Sequence, residues 1–359
     1  ARINKAAPWE RDMIEALATR YERPFPEDRA HLEKAFADTM AKLWKKYDRD
    51  ADVGAIYAES MMVRRPWALY NVDREPVEDT ELIVATLARV LELNPDHPGA
   101  CHLYIHAVEQ SKNPERALFA ADRLCDLVTV SGHMLHMPSH IYTRVKEWDR
   151  SIAINTRAVE ADKRYRQLSP EQGIQHMYMI HNSHILAYSA MMVGRKDEAL
   201  QAARAMWYLP DDQLREVAPF IDHWMCSVYD VQKRFGLWDD LLKEPPPPGF
   251  LRLTAAHRWA HRAVAFAAKK DFDAAVAEYA EFEKLYNDPP PKELRFPGWT
   301  EEMYQRRLDA IRHFVPGEIA LQRGAYDLAI THLRRAVEAE DKLGYGGEPP
   351  EYLQPIRHT

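Results

Sequence analysis

The sequence has little glycine and almost no cysteine. Its 359 residues include 13 Gly and 3 Cys, which leaves little room for a glycine-looped nucleotide fold or an all-β sandwich. Three cysteines exclude a disulfide framework, although a single bridge stays open. No run of about 18 apolar residues occurs, so no membrane span is predicted. The formal net charge is −7 with both signs interspersed, which lacks the basic stripe typical of nucleic-acid binders.

The abundant residues favour helices. Hydrophobic residues make up 46% of the chain and charged residues 29%, and the good helix formers Ala, Leu, Glu and Arg are frequent. The chain is long enough to bury a sizeable core, either as several domains or as a repeat array. It begins at Ala1 without a signal-like apolar segment, so we expect either a removed leader or a piece of a longer protein.

A short motif recurs six times, with a turn followed by a helix that carries a small or apolar residue at one fixed position. These six equivalent positions, here called the anchors, are Ala117, Ser151, Ala199, Leu241, Ala275 and Ala329. They are spaced by 34, 48, 42, 34 and 54 residues. A period of 34 is that of tetratricopeptide repeats, and we interpret the longer spacings as the same unit with an insertion.

The residues that precede the anchors agree with this interpretation. Gly194, Gly236 and Gly324 lie five residues before their anchors, where a helix must stop and turn. Small residues lie twelve positions before four anchors and would let two helices approach closely: Ser139, Ala187, Ala263 and Gly317. The other two repeats depart from this pattern, with Ile105 and Tyr229.

The sequence therefore predicts an all-α protein, a right-handed α-solenoid of tetratricopeptide-like helix pairs. We divide it into three segments. N-terminal helical pairs are expected at 1–95, histidine-rich repeats that carry a metal site at 96–210, and further repeats at 211–359.

Histidine is concentrated in one part of the chain. Nine of the 16 His lie between His97 and His184, where an even spread would place about four. Offsets of 18, 15 and 11 residues before each anchor define one face of the first helix in each repeat. In repeats one to four this face carries mainly His, Cys, Asp or Tyr: His102, His106, His133, His136, His140, His181, His184, Tyr188, His223, Cys226 and Asp230. Glu109 follows His106 by three residues and extends the first stripe.

Imidazoles in this pattern point to a transition metal. Two histidines at i and i+4 can hold one ion, and helices about 8–10 Å apart can share ligands. Neutral imidazole suits Zn, Cu, Fe or Ni, and the number of histidines allows more than one ion. The predicted metal ligands are His102, His106, His133, His136, His140, His181, His184 and His223. Glu109, Tyr188 and Asp230 are predicted to be catalytic, as a general base, as further ligands or as hydrogen-bond partners of ligands.

Other histidines and the cysteine on this face have simpler interpretations. A lone histidine on a helix is usually packed or solvated, and we interpret four of them that way: His31, His313, His332 and His358. His97 precedes Pro98 and is expected to cap or turn the start of a helix. Cys226 is a weak nucleophile candidate and is expected to be an occasional ligand or a buried residue.

Four segments, 97–109, 132–145, 180–192 and 333–350, resemble a widespread bacterial family whose members are called tetratricopeptide repeat proteins. The segments 97–109, 132–145 and 180–192 carry the family's motifs HPGxxHxxIHA, GHxxHMPSHIYxR and HNxH in the same order, and the likeness covers nearly the whole chain. The resemblance implies the same fold and the same motif histidines, but no particular reaction. Relative to the family the chain looks truncated at both ends. As a soluble bacterial protein it would lie in the cytoplasm or the periplasm, and the sequence does not choose between them.

We therefore expect a metal-dependent enzyme that acts on a small molecule. A Cu or Fe oxidoreductase is favoured over a Zn hydrolase, because hydrolytic centres recruit more carboxylates than this face offers. A repeat groove that binds a peptide or protein partner is the alternative, although the Lys, Arg, Asn and Gln of such grooves are nearly missing here. Metal storage or delivery is a third possibility.

Overall fold

The protein is built of helices. A computed structural model describes residues 5–345, 348 and 352–359, and within them no strand forms and only an isolated bridge joins Tyr70 to Pro76. The predicted all-α class is confirmed. Among these residues no helix combines the length and the apolar character that crossing a bilayer requires. The three cysteines all belong to the described part of the chain, and none forms a disulfide.

The helices have the following bounds. They are α1 Pro8–Ala18, α2 Ala30–Lys46, α3 Ala51–Met62, α4 Thr80–Leu93, α5 Pro98–Glu109, α6 Leu118–Leu127, α7 Gly132–His136, α8 Pro138–Arg144 and α9 Trp148–Leu168. The chain continues with α10 Gln175–Met192, α11 Lys196–Ala205, α12 Asp211–Ile221, α13 Ser227–Arg234, α14 Trp238–Lys243, α15 Arg252–Ala268, α16 Phe272–Tyr286, α17 Glu301–Gln322 and α18 Tyr326–Asp341. Short 3₁₀ turns form at Pro114–Ala117, Lys292–Leu294 and Ile356–His358.

The chain divides into two compact units. Unit 1 contains Ala1–Thr129 and His140–Val145, and unit 2 contains Val130–Ser139 and Lys146–Thr359. The three segments expected from the sequence stay predictions.

Consecutive helices pack against each other in unit 1. Each helix from α1 to α5 contacts the next helix in the chain, and α3 also contacts α5. The start of α5 is capped by His97, whose Nδ1 accepts from the backbone N–H of Ala100 at 3.1 Å, and Pro98 occupies the first helical position. This hydrogen bond confirms the predicted capping role of His97. Pro98 suits the first helical position because Pro lacks the N–H that the first turn of a helix leaves unpaired.

In unit 2, too, many helices pack against their neighbours in the chain. Helix α10 contacts α9 and α11, α15 contacts α16, and α17 contacts α18, while α13 contacts α11 and α15, and α15 also contacts α17. Apolar side chains fill the interfaces, with Phe282, Leu308 and Val315 fully buried between the last helices. Gly317 lets α17 and α18 approach closely, since a Cβ there would lie 2.8 Å from Leu333 Cγ.

The positions that the motif makes equivalent share one local structure. All six anchors are fully buried, and so are the residues twelve positions before them. Five residues before five of the anchors the backbone is left-handed. The residues with positive φ are Lys146 (67°), Gly194 (77°), Gly236 (65°), Lys270 (67°) and Gly324 (78°). Glycine was expected at three of these turns, and the structure adds two lysines that take the same strained conformation.

Substitution of the left-handed turns should shift stability in opposite directions. We expect Lys146→Gly to raise the free energy of unfolding by about 0.5–1 kcal/mol, because glycine reaches positive φ without the clash of a Cβ. We expect Gly194→Ala to lower the free energy of unfolding by about 1 kcal/mol, because alanine is strained at positive φ. No other clash adds to this cost, since a Cβ at Gly194 would meet nothing within 4 Å. Urea unfolding of both variants checks the pair, and the same sign in both would contradict the explanation.

Candidate metal centre

Three histidines of unit 1 lie side by side. Helix α5 places His102 and His106 one turn apart on one face, with ring centroids 4.9 Å apart and an interplanar angle of 62°. Helix α8 brings His140 to the same place, where its ring centroid lies 5.4 Å from that of His106 at an angle of 77°. All three are predicted ligands, and the structure brings them together although His140 follows His106 by 34 residues.

A single buried carboxylate holds two of these rings. Glu109 Oε1 lies 2.7 Å from His106 Nδ1 and Glu109 Oε2 lies 2.6 Å from His140 Nδ1. The side chain of Glu109 is 1% exposed. Burial raises the pKa of Glu109, but the positive charge and the hydrogen bonds of the two imidazoles outweigh it and hold the pKa far below its usual range. The group is therefore a carboxylate, with both oxygens used to orient histidines.

The contacts of Glu109 decide which nitrogen of each ring carries the lone pair. Because each Nδ1–H donates to the carboxylate, the lone pair of a neutral ring is on Nε2. Carboxylates orient metal-bound histidines in this way and raise their basicity. Two imidazole rings that bind the same metal ion have metal–nitrogen bonds of about 2.1 Å. Their ring centroids are then about 4.5–5.2 Å apart when the nitrogen–metal–nitrogen angle lies between about 90° and 109°. The separations in unit 1 are close to this range, and one potential ligand atom from each of His106, Glu109 and His140 lies within 4.8 Å of the other two.

The end of α5 is held by Arg144 of α8. Its Nε donates to the backbone oxygen of Glu109 at 3.0 Å and its Nη2 donates to that of Ser111 at 3.1 Å. These oxygens belong to the last turn of α5 and the residues just after it, where carbonyl groups lack partners within the helix. Arg144 therefore positions His140, which lies one turn earlier on the same helix, relative to Glu109.

A second group of imidazoles lies in unit 2. His136 of α7 and His181 of α10 have ring centroids 4.7 Å apart at an angle of 66°. Asn155 of α9 orients the first ring, since its Oδ1 lies 2.8 Å from His136 Nδ1. The amide oxygen accepts the Nδ1–H, so the lone pair of His136 is again on Nε2. His133 lies three residues before His136 on α7, and its ring centroid is 4.7 Å from that of Tyr178.

The indole ring of Trp224 contacts three of the predicted ligands of unit 2. Its ring lies against His181 (4.6 Å between centroids), His184 (5.5 Å) and His223 (4.7 Å). Burial lowers the pKa of His184 to about 3. Burial, with a smaller contribution from nearby positive charge, also moves the pKa of His223 well below its usual value. Both rings are therefore neutral near pH 7, which is the form that binds metals.

Two predicted catalytic residues, Tyr188 and Asp230, belong to unit 2 and have partners of their own. Tyr188 of α10 lies in the apolar interface between α9, α10, α11 and α13, with its ring edge-to-face against Trp148 at 5.6 Å. Asp230 of α13 accepts from His261 at 3.0 Å. Their catalytic roles stay predictions, whereas Glu109 contacts two predicted ligands directly.

The sequence analysis missed Asn155 and Trp224. Asn155 lies four residues after an anchor, on the second helix of its repeat, so a search along the first helices could not find it. Asn155 lies about one helical turn after the anchor Ser151 and therefore on the same, buried face of the helix. A polar amide at such a position was the available signal, because buried amides need hydrogen-bond partners. Trp224 lies between two stripe positions, and only the packing of α10 near the end of α12 brings it to the histidines.

A buried acid in unit 2 should give the protein a pH-dependent stability. Asp162 of α9 is 5% exposed, and burial raises its pKa from 3.8 to about 6, although Asn182 Nδ2 donates to Oδ2 at 2.7 Å. Between these two pKa values the unfolded chain loses the proton and the folded chain keeps it. Stability from this group is therefore present below about pH 4 and is lost as the pH rises to about 6, by roughly 2–3 kcal/mol.

The pH dependence can be isolated by substitution. Asp162→Asn should remove this part of the slope between pH 4 and 6 and should be more stable than the wild type above pH 6. Asp149→Asn, on the exposed side of the same helix, is the control and should leave the slope unchanged. Urea unfolding at several pH values provides the measurement, and equal slopes in the wild type and Asp162→Asn would refute the expectation.

Comparison with known proteins finds neither a protein-family model nor a curated protein that matches the chain. The function is therefore argued from the geometry of the histidines and their partners.

Proposed function

We propose that this protein is a metal-dependent enzyme whose histidine-rich centre binds a transition metal, with Cu or Fe favoured over Zn. The observation that carries the proposal is the buried carboxylate of Glu109, which accepts Nδ1–H groups from both His106 and His140. A fully buried carboxylate is expensive to place in a core without strong partners. A role in orienting two imidazoles toward one metal ion would account for a carboxylate at this buried position.

The proposed ligands in unit 1 are His102, His106 and His140, bound through nitrogen. Glu109 is then a positioning residue that acts through the two histidines, and it need not touch the ion. The pair His136 and His181, oriented by Asn155, is the counterpart in unit 2. His133, His184 and His223 lie around this pair and are proposed as further ligands or as neighbours that tune it.

Redox chemistry is proposed because of the donor set. The groups are dominated by imidazole, and the carboxylate of Glu109 is used to orient the rings of His106 and His140. Imidazole-rich sites suit Cu and Fe, whereas Mg, Ca and Mn prefer oxygen ligands. The ring of Tyr178 lies 4.7 Å from that of His133, which supplies an aromatic alcohol beside the proposed site. A small organic substrate is proposed for the same centre.

The architecture that we propose is a solenoid of tetratricopeptide-like helix pairs. In unit 2 the first helices α13, α15 and α17 contact one another in succession, and each of them contacts the helix that follows it in the chain, which supports this arrangement. The left-handed turn shared by five motifs supports it as well. The resemblance to bacterial tetratricopeptide repeat proteins proposes the same fold and the same motif histidines.

Elemental analysis of protein purified without a His tag tests the metal centre. We expect at least one equivalent of Cu, Fe or Zn in the wild type after reconstitution and a loss of about one equivalent in His106→Ala/His140→Ala. His31→Ala is the matched control, because its imidazole is exposed and, among the described residues, is paired with the surface residue Glu22 at 3.2 Å. Circular dichroism must show that the double variant is still helical. A wild type that stays empty after reconstitution would overturn the proposal.

The reaction class needs a second measurement on the loaded protein. Oxygen consumption with phenolic and aliphatic test substrates is expected to require the bound metal and to fall in the double variant. Hydrolysis of activated esters by the Zn-loaded form, without any oxygen consumption by the Cu or Fe forms, would contradict the redox assignment and leave the metal centre intact. Bound metal without either activity would favour storage or delivery.

A further inference from the structure

A chemically different group of side chains lies elsewhere in unit 2. Cys226 immediately precedes α13, Asp230 follows one turn later, and His257 projects from α15, which packs against α13. Each of the three residues is at most 2% exposed. One potential ligand atom from each, the sulfur, a carboxylate oxygen and a ring nitrogen, lies within 4.8 Å of the other two.

The carboxylate in this group is held in place by His261. Asp230 Oδ1 lies 3.0 Å from His261 Nε2, and His261 Nδ1 lies 2.7 Å from the backbone oxygen of His257. Both ring nitrogens of His261 therefore face acceptors, and this ring holds Asp230 Oδ1 in place. Burial raises the pKa of Asp230, but His261 outweighs it and the pKa stays below its usual value. Asp230 is therefore ionised.

The second carboxylate oxygen faces the cysteine. The thiol of Cys226 donates toward Asp230 Oδ2, with 3.8 Å between sulfur and oxygen. The backbone oxygen of His223, 3.2 Å from the sulfur, is a second acceptor for the thiol proton. Thiols bind metals only after they lose this proton.

The imidazole of His257 completes the donor set. Its Nδ1 is buried and has no hydrogen-bond partner among the described residues. A buried polar nitrogen without a partner costs about 1–3 kcal/mol. Burial lowers the pKa of His257 to about 3, so the ring is neutral near pH 7 and is able to bind a metal.

We propose that Cys226, Asp230 and His257 form a second metal site, with a thiolate, a carboxylate and an imidazole as ligands of Zn²⁺ or a metal of similar softness. On binding, the ion replaces the thiol proton of Cys226, the proton leaves to solvent, and a sulfur–metal bond forms without any change of oxidation state. Thiolate donors select Zn over the oxygen-seeking ions. The site shares no proposed ligand with the centre around Glu109, so it stands without the proposed enzyme activity.

Cobalt titration of the full chain tests this site, because a sulfur ligand produces a strong near-ultraviolet sulfur-to-Co²⁺ absorption band that nitrogen and oxygen ligands do not. We expect the band in the wild type and its loss in Cys226→Ser, which keeps the size of the side chain. Cys101→Ser is the matched control, since Cys101 is also a fully buried thiol but donates only toward the backbone oxygen of Pro95. It should keep the band.

Two further variants separate this proposal from the enzyme proposal. His106→Ala/His140→Ala should keep the sulfur-to-cobalt band while it loses metal from the other centre. His257→Gln should weaken or remove the band even though the thiol is intact, and circular dichroism of each variant shows whether it folds. The proposal fails if the wild type shows no band, or if a folded Cys226→Ser variant retains it.

Discussion

Glu109→Gln should lower the affinity of the centre in unit 1 for its metal by 10- to 100-fold. The side chain keeps its shape, but only one of its two polar atoms can accept a hydrogen bond, and its NH₂ group opposes an Nδ1–H. Either His106 or His140 must then change its tautomer or its orientation, and the negative charge that favours the metal-bound ring is lost. Removal of carboxylates that orient metal-bound histidines has effects of this size.

Competition with a chromophoric chelator measures the affinity of the variant. Glu92→Gln is the matched control, because Glu92 is an exposed acid of unit 1 that pairs with Arg89 on the surface. This variant should bind metal as the wild type does. A merely structural role for Glu109 would change the unfolding free energy of the apoprotein and leave the affinity of the folded protein unchanged. That outcome, with both variants binding equally well, would remove the main support for the proposed centre.

Asp222→Ala should destabilise the protein by about 2–4 kcal/mol. Asp222 follows α12, and its carboxylate caps α15: Oδ2 accepts from Leu253 N at 2.7 Å, and Oδ1 accepts from Thr254 N at 2.9 Å and Thr254 Oγ1 at 2.8 Å. The alanine variant leaves the buried backbone N–H groups of Leu253 and Thr254 without their acceptor, whereas the Thr254 hydroxyl keeps the backbone oxygen of Asp222 at 2.6 Å. A lost cap costs about 1 kcal/mol, and each buried group left unpaired adds about 1–3 kcal/mol before relaxation or entry of water.

Urea unfolding checks the effect of Asp222. Asp222→Asn should be intermediate, because its single side-chain oxygen can accept for only part of the cap. Asp211→Ala, an exposed acid in the first turn of α12, is the control and should change stability by less than about 0.5 kcal/mol. A loss that small in Asp222→Ala would show that water replaces the carboxylate at the start of α15.

Much of the helical framework could be predicted. The six anchors are buried as their equivalence requires, and the glycines at 194, 236 and 324 adopt the left-handed turn that was expected of them. Lys146 and Lys270 adopt the same conformation without the glycine that would announce it. Their turns were hidden because lysine gives no signal for positive φ, and the surrounding helices impose it.

The partners of the candidate site were harder to predict. The helical period placed His102, His106 and Glu109 on one face, since three or four residues separate neighbours on a helix. The same period could not show that Glu109 binds His140, which is 31 residues away, or that Asn155 orients His136. It also could not show that Asp222 caps a helix that begins 30 residues later in the chain.

The all-α class, the positions of the turns and the face that carries the histidines follow from the sequence alone, because each depends on rules that act within a few neighbouring residues. The ring nitrogens that face a carboxylate or an amide, the protons that they carry and the acids that remain ionised depend on side chains from distant parts of the chain. Only tertiary packing brings those groups within hydrogen-bond distance and removes them from water, and that combination sets their protonation and their ability to bind a metal.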